Sequence, residues 1–297
     1  MVEKIRFITD TACDIPLDVA ENYGIDVAPL TVAVDGVIYK ESYEITPQKF
    51  YQLCRECKEL PVSSGVNAQE YLERYEKALR DGCTNVCVVC INSGGSMCYA
   101  SANRAREEFY EEHPDARQKM EIEILDSRTY SIAYGIPVLR AAEMHRRGVA
   151  LADIRAFFQD WFDRVEIYFA PLTFDFVKRS GRVSGITCLA GQALGLRPII
   201  DIIEGKTHAA AVVRGDRNVP GAIVKIAQER AVKGTPYGIL VGTVTGLAED
   251  LSAKLQKAIG DGLAGIFSAG PAITINGGPD LLAMCFLGGK RQTGTAG

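Results

Sequence analysis

Residues 85–99, Asn-Val-Cys-Val-Val-Cys-Ile-Asn-Ser-Gly-Gly-Ser-Met-Cys-Tyr, limit the fold more than any other stretch. The apolar, Val-rich run 86–91 has the length and content of a buried strand, and it breaks off into Asn92, Ser93, Gly94, Gly95 and Ser96. Tyr99, Ala102 and Ala105 then recur at helical spacing, with Ser96 standing where an N-cap is expected. A strand that opens into a helix through glycines and serines suits an anion. The helix start leaves N–H groups unpaired, the dipole is positive there, and the glycines let a ligand reach the backbone.

Three further corners repeat the pattern: residues 5–8 run into Thr9-Asp10-Thr11, Val62 into Ser63-Ser64-Gly65, and residues 122–125 into Asp126-Ser127. Four such corners point to one shared edge, because ligand crevices of open parallel α/β sheets lie at the carboxyl ends of the strands. The alternation of strands (5–8, 86–91, 121–125) with helices (17–23, 47–58, 68–80, 97–112, 131–147) argues for a mostly parallel sheet flanked by helices. Val34-Asp35-Gly36-Val37 reads as a hairpin turn, Pro47 and Asn67 start helices, and Gly148 ends one. A domain boundary falls near Gly148, which predicts domains at 1–149 and 150–290 and a disordered tail at 291–297. The second half reads as helices at 153–163, 174–179, 186–194, 220–232 and 249–259. Its strands fall at 165–170 and 237–244, its hairpin at 199–213, and its last apolar segment at 272–286.

The formal net charge of −4 excludes a basic field for nucleic acid or a polybasic membrane patch. No apolar leader precedes the first strand and no run approaches ~18 apolar residues, so no stable membrane insertion is expected and the cytoplasm is the expected location. Nine cysteines, several in apolar patterns, fit reduced thiols. Cys54-x-x-Cys57 falls in a helix, Cys87 and Cys90 point to opposite faces of a strand, and none of His113, His145 and His208 completes a zinc set. No metal or cofactor is expected.

Gly205-Lys206-Thr207 is not a phosphate loop: Ile200 stands where the first glycine belongs, and the segment reads as a hairpin turn. Ser93 and Ser96 lack the G-x-S-x-G frame of a nucleophile elbow. Arg182 (in Gly181-Arg182), Arg197 and Arg214 offer guanidinium forks suited to carboxylate or phosphate, beside the bland reading of loop charges.

Taken together, these stretches resemble the DegV family of bacterial fatty-acid-binding proteins. The resemblance runs through Ile8-Thr9-Asp10-Thr11-Ala12-Cys13-Asp14-Ile15-Pro16, Ser63-Ser64, Ser96 to Tyr99 with Ser101-Ala102, Asp126-Ser127, Gly181-Arg182-Val183-Ser184, Arg197-Pro198-Ile199 and Gly270-Pro271, in the family's order. It implies a two-domain α/β fold with a mostly parallel N-terminal sheet and a mixed C-terminal one. It also implies a long-chain fatty acid enclosed between the domains, its carboxylate presented to a separate fatty acid kinase subunit, in the service of phospholipid metabolism.

Carried over by position, head-group contacts fall on Ser63 and Ser96, with Ser93 and Asn276 in the same crevice and Arg182 in support, and kinase docking falls on Arg214. The family's H-T-G-P-G reads Asn276-Gly277-Gly278-Pro279-Asp280 here, and its S-G-T-Y reads Ser96-Met97-Cys98-Tyr99. Asn276 donates hydrogen bonds but carries no charge, so a different lipid is one alternative. The other is an enzyme of the same crevice, a Ser96-dependent acyl hydrolase or a phosphoryl-transfer protein.

Overall fold

The computed structural model describes residues 3–181, 195–203 and 205–289. Arg182 and the helix expected at 186–194 therefore lie outside the described residues, as does the tail 291–297. The first sheet orders its strands β2-β1-β6-β7, all parallel: β1 Ile5–Asp10, β2 Ile25–Ala28, β6 Asn85–Cys90 and β7 Glu121–Asp126. β6 is buried over nearly its whole length, which is why it reads as a continuous apolar run rather than an alternating one. The helices α1 Leu17–Asn22, α4 Cys98–Glu112 and α5 Ile132–Arg146 follow β1, β6 and β7, and α3 Ala68–Arg80 leads into β6. Asn67 caps α3 by accepting from the Glu70 amide at 2.9 Å, and Tyr71, Leu72 and Tyr75 form its buried face.

A three-stranded antiparallel sheet, β3 Thr31–Val34, β4 Val37–Lys40 and β5 Val62–Ser64, sits beside the first. Its Asp35-Gly36 turn has φ of 46° and 84°, the two positive values a tight hairpin of this hand needs. Val32 and Val34 pack on Phe50 of α2 Pro47–Glu56, together with Phe176 and Ile275 from the second half. The corner Ser63-Ser64-Gly65 thus arrives from a sheet other than the one carrying the other three, a correction to the shared-edge expectation.

The third sheet runs β10-β9-β8-β13-β11-β12 and is mixed, with only β11 and β12 parallel. Its strands are β8 Val165–Pro171, β9 Leu196–Ile203, β10 Lys206–Arg214, β11 Tyr237–Val241, β12 Leu263–Ser268 and β13 Leu281–Leu287, with helices α6 Leu151–Arg164, α7 Asp175–Ser180, α8 Val219–Arg230, α9 Thr245–Ile259 and α10 Pro271–Gly277. Strand pleating divides β13 between two cores. Leu282, Met284 and Phe286 join Ile223 of α8 and Leu251 of α9, whereas Leu281, Ala283 and Cys285 share a core with Ile132 and Ile136 of α5. α5 closes over β11 at Gly238, where a Cβ would stand 3.0 Å from Ile132 Cδ1.

Three local expectations need correction. The segment 272–286 is not one element: α10 ends at Gly277 and β13 begins at Leu281. β12 was not anticipated, because an edge strand with mostly exposed side chains carries no apolar alternation. Ser96 is not the N-cap of α4, since Met97 holds that position and the Ser96 hydroxyl accepts from the Cys98 amide at 3.3 Å.

Candidate functional site

A cavity of about 440 Å³ lies between the polar corners and the inner face of the six-stranded sheet. Its floor is apolar: Ile167, Phe169, Leu240, Leu281 and Ala283 project from β8, β11 and β13 and are each at most 9% exposed. Its opening is polar and more accessible, with Ser64, Ser93 and Met97 exposed and Ser63, Ser96 and Asn276 half-buried. No charged side chain lines it among the described residues.

The corners converge because glycine removes the side chains that would hold them apart. A Cβ on Gly65 would stand 3.1 Å from Ser96 Oγ, and one on Gly205, in the β9–β10 turn at φ 75°, would stand 2.6 Å from Asn92 Nδ2. The turn of the C-terminal hairpin is therefore seated against the first-half corner, and Thr207 joins the lining. Asn92 in turn donates to Tyr130 Oη at 2.7 Å.

Ser63, Ser93, Ser96 and Asn276 are brought together around this one cavity. Ser93 gives its hydroxyl to Asp126 at 2.5 Å, Ser96 donates to Cys98 Sγ at 3.2 Å, and the Asn276 amide donates to the Ala272 carbonyl at 2.8 Å. Arg214 stands apart, exposed at the end of edge strand β10, with its carbonyl bonded to Asn218 at 2.7 Å. Asp280 is turned from the cavity, accepting from the Thr243 hydroxyl. Tyr130, Ser131 and Thr207 also line the cavity and were missed. Ser131 directly precedes a helix and so carried a weak signal, whereas the other two carried none.

Behind the opening lie three buried carboxyls, Asp10, Asp14 and Glu41. Asp10 accepts from Tyr134 Oη at 2.6 Å and the Ile91 amide at 3.0 Å, and Glu41 from Thr11 Oγ1 at 2.6 Å and the Ala272 amide at 2.8 Å. Burial pushes Asp10 up to about 6 and Glu41 up to about 7 despite these donors, and lifts Asp14 well above the ordinary carboxylate range. Glu41 and Asp14 bond amides at the start of α10, which ties the wall carrying Asn276 to the first half.

His145 accepts from the Ile5 amide at 3.4 Å, His208 pairs with Asp201 at 3.2 Å, and none of the three histidines lines the cavity. The Cys98 thiol is held up at about 12 by burial and so is no nucleophile at neutral pH. His113 lies with Glu76 and Glu112, their potential ligand atoms within 4.8 Å of one another, on α3 and the end of α4 and not at the cavity. Every cysteine among the described residues is unpaired, and no helix among them is long and apolar enough to cross a membrane.

Fold and cavity together define an α/β protein built around an apolar chamber with a polar opening, uncharged among the described residues. The chain belongs to the DegV family, whose model it matches over residues 4–288. A DegV domain-containing protein of Clostridium perfringens is 30% identical over 86% of this chain and 87% of its own length. The solved structure of a DegV family protein from Thermus thermophilus, described by its fatty acid binding, is 26% identical with a TM-score of 0.83 over 96% of this chain and 99% of that one. The fatty acid kinase B3 protein of Streptococcus pneumoniae, solved loaded with linoleic acid, shares the fold at a TM-score of 0.83 and 17% identity, over 96% of this chain and all of that one.

Proposed function

We propose that this protein is a cytoplasmic carrier that binds one long-chain fatty acid in the cavity, without catalysis of its own, and presents the carboxylate to a kinase partner. The observation that carries the reading is the grading of the cavity from a buried apolar floor to a half-exposed, hydroxyl-rich opening. Each buried methylene contributes about 0.8 kcal/mol before ordering costs are subtracted, so the tail supplies most of the affinity. Ser63, Ser96 and Asn276 would hold the head group, with Ser93 shaping the corner through Asp126 and Arg182 acting from outside the described residues. The relatives described by fatty acid binding support the ligand class, and the kinase B3 neighbour supports the partner. In this reading the cavity lies between domains at 1–149 and 150–290.

Mass spectrometry of an organic extract of the purified protein tests the ligand. A stoichiometric fatty acid that falls about tenfold in Ser96→Ala is the expected result, the size of one hydrogen bond to a charged group. A neutral lipid in its place would mean that Asn276 has changed the ligand class, and a protein that cannot be loaded at all would overturn the carrier. For Arg214, exposed and remote from the cavity, Arg214→Ala should keep full lipid content while acyl phosphate formation by a fatty acid kinase drops. Equal loss of lipid would refute the docking role.

A further inference from the structure

We propose that Ser131 contacts the lipid head group and that Asp14 is the positioning residue behind it, turning the Ser131 hydroxyl hydrogen into the cavity when Asp14 is neutral. The inference rests on the fatty-acid reading and adds to it a donor whose direction is set by a buried acid.

Local chemistry does not explain a serine at 131. Its φ of 56° and ψ of −141° belong to a region that glycine alone enters without strain, at a cost of about 1–3 kcal/mol for other residues. It precedes α5 in the N-cap position, yet its side chain makes no capping bond. The hydroxyl instead pairs with Asp14 Oδ2, while the residue, 1% exposed, lines the cavity.

Asp14 is placed to control that hydroxyl. Its Oδ1 accepts from the Gly270 amide at 2.8 Å, which leaves Oδ2 as the atom that meets Ser131. The titratable groups around it are Asp10 at the end of β1, Glu41 after β4, Cys13 beside it, Tyr51 on α2 and, one step further, Tyr134 on α5. None is a cation, and no ion pair involves Asp10, Asp14 or Glu41 among the described residues. Burial, with the neighbouring acids adding to it, raises the Asp14 carboxyl well above the ordinary carboxylate range and so favours its neutral form.

A neutral Asp14 donates from Oδ2 to Ser131 Oγ, and the serine's own hydrogen turns to the cavity, where a carboxylate can only accept. An ionised Asp14 accepts at both oxygens and draws that hydrogen back, so the head group meets a lone pair. Affinity for a carboxylate is therefore highest at low pH and is lost as pH rises through the Asp14 pKa. Asp14→Asn imitates the neutral acid permanently, its oxygen on Gly270 and its amide on Ser131.

The test is equilibrium dialysis of radiolabelled oleic acid, below its aggregation limit, against the delipidated full-length protein from about pH 5.5 to about pH 9. The wild type is expected to weaken about tenfold or more across that range, the size of one hydrogen bond to a charged group. Asp14→Asn should bind tightly with no slope of its own, and comparison within one series removes the ligand's titration, which is common to all proteins. Ser131→Gly, which fits the backbone and lacks the hydroxyl, should bind about tenfold more weakly at low pH and show no Asp14-dependent slope. The Ser131→Gly arm stands alone if Asp14→Asn does not fold. An Asp14→Asn slope equal to that of the wild type, or Ser131→Gly binding equal to it, overturns the inference and leaves the carrier standing. Wild-type protein that takes up no oleic acid at any pH overturns both.

Discussion

Ala283→Phe is expected to empty the cavity of lipid and leave the protein folded. Ala283 lies at mid-strand on β13, in register with Phe169 of β8, and both residues face the chamber. At 1% exposure it is buried in the core it shares with Ile132 and Ile136, and it also lines the cavity. The added ring has to enter the cavity from this packed position, at an overpacking cost of about 1–3 kcal/mol that leaves the fold standing. Excluding only two methylenes of the acyl chain, at ~0.8 kcal/mol each, weakens binding roughly tenfold, and a phenyl ring excludes more. Lipid recovered per mole of protein, read beside the thermal midpoint, decides the matter. Full lipid content in a well-folded variant would mean that the fatty acid lies elsewhere.

Gly242→Ala should be the most destabilising single methyl group in the second half. A Cβ at Gly242 would fall deep inside the van der Waals radius of the Pro279 carbonyl oxygen, a backbone atom with no rotamer to yield. That carbonyl is held by the Thr243 amide at 2.9 Å, and the next one, of Asp280, by the Leu172 amide at 2.9 Å. Gly242 itself donates to the Leu281 carbonyl at 3.0 Å, so moving the turn breaks the end of the β11–β13 pairing as well. A loss of about 3 kcal/mol follows, a fall in melting temperature of roughly 5 °C for a chain of this size. Gly246→Ala is the control: it is exposed in the first turn of α9 with nothing within 4 Å of an added Cβ, and is expected to be neutral or stabilising by up to about 1 kcal/mol. Equal melting temperatures for the two variants would show that the turn adapts.

Much of the candidate site was legible because its signals are local. Ser93 and Ser96 stand out where the buried run of β6 breaks into glycines and serines, Ser63 marks another such break, and Asn276 follows from the family's order of blocks. The N-cap expectation falls one residue early because Ser96, just outside the helix, accepts from the first helical amide, that of Cys98. The strand 281–287 reads as continuous apolar sequence, Leu-Leu-Ala-Met-Cys-Phe-Leu, so nothing in it tells which alternate residues face α8 and α9 and which face α5 and the cavity.

Periodicity and corner chemistry in the sequence alone determined the strand and helix alternation and the polar ends of the strands, while the ordered motif blocks carried the resemblance to the family. Only the tertiary structure decided that the Ser63 corner comes from a separate sheet, that the β9–β10 turn seats against Asn92, and that Asp14 holds Ser131 from 117 positions away and Gly270 from 256. The reason is physical: side-chain period and turn chemistry are properties of neighbours along the chain. A cavity is a property of faces packed from distant segments, and which faces meet is settled by burial of the whole core.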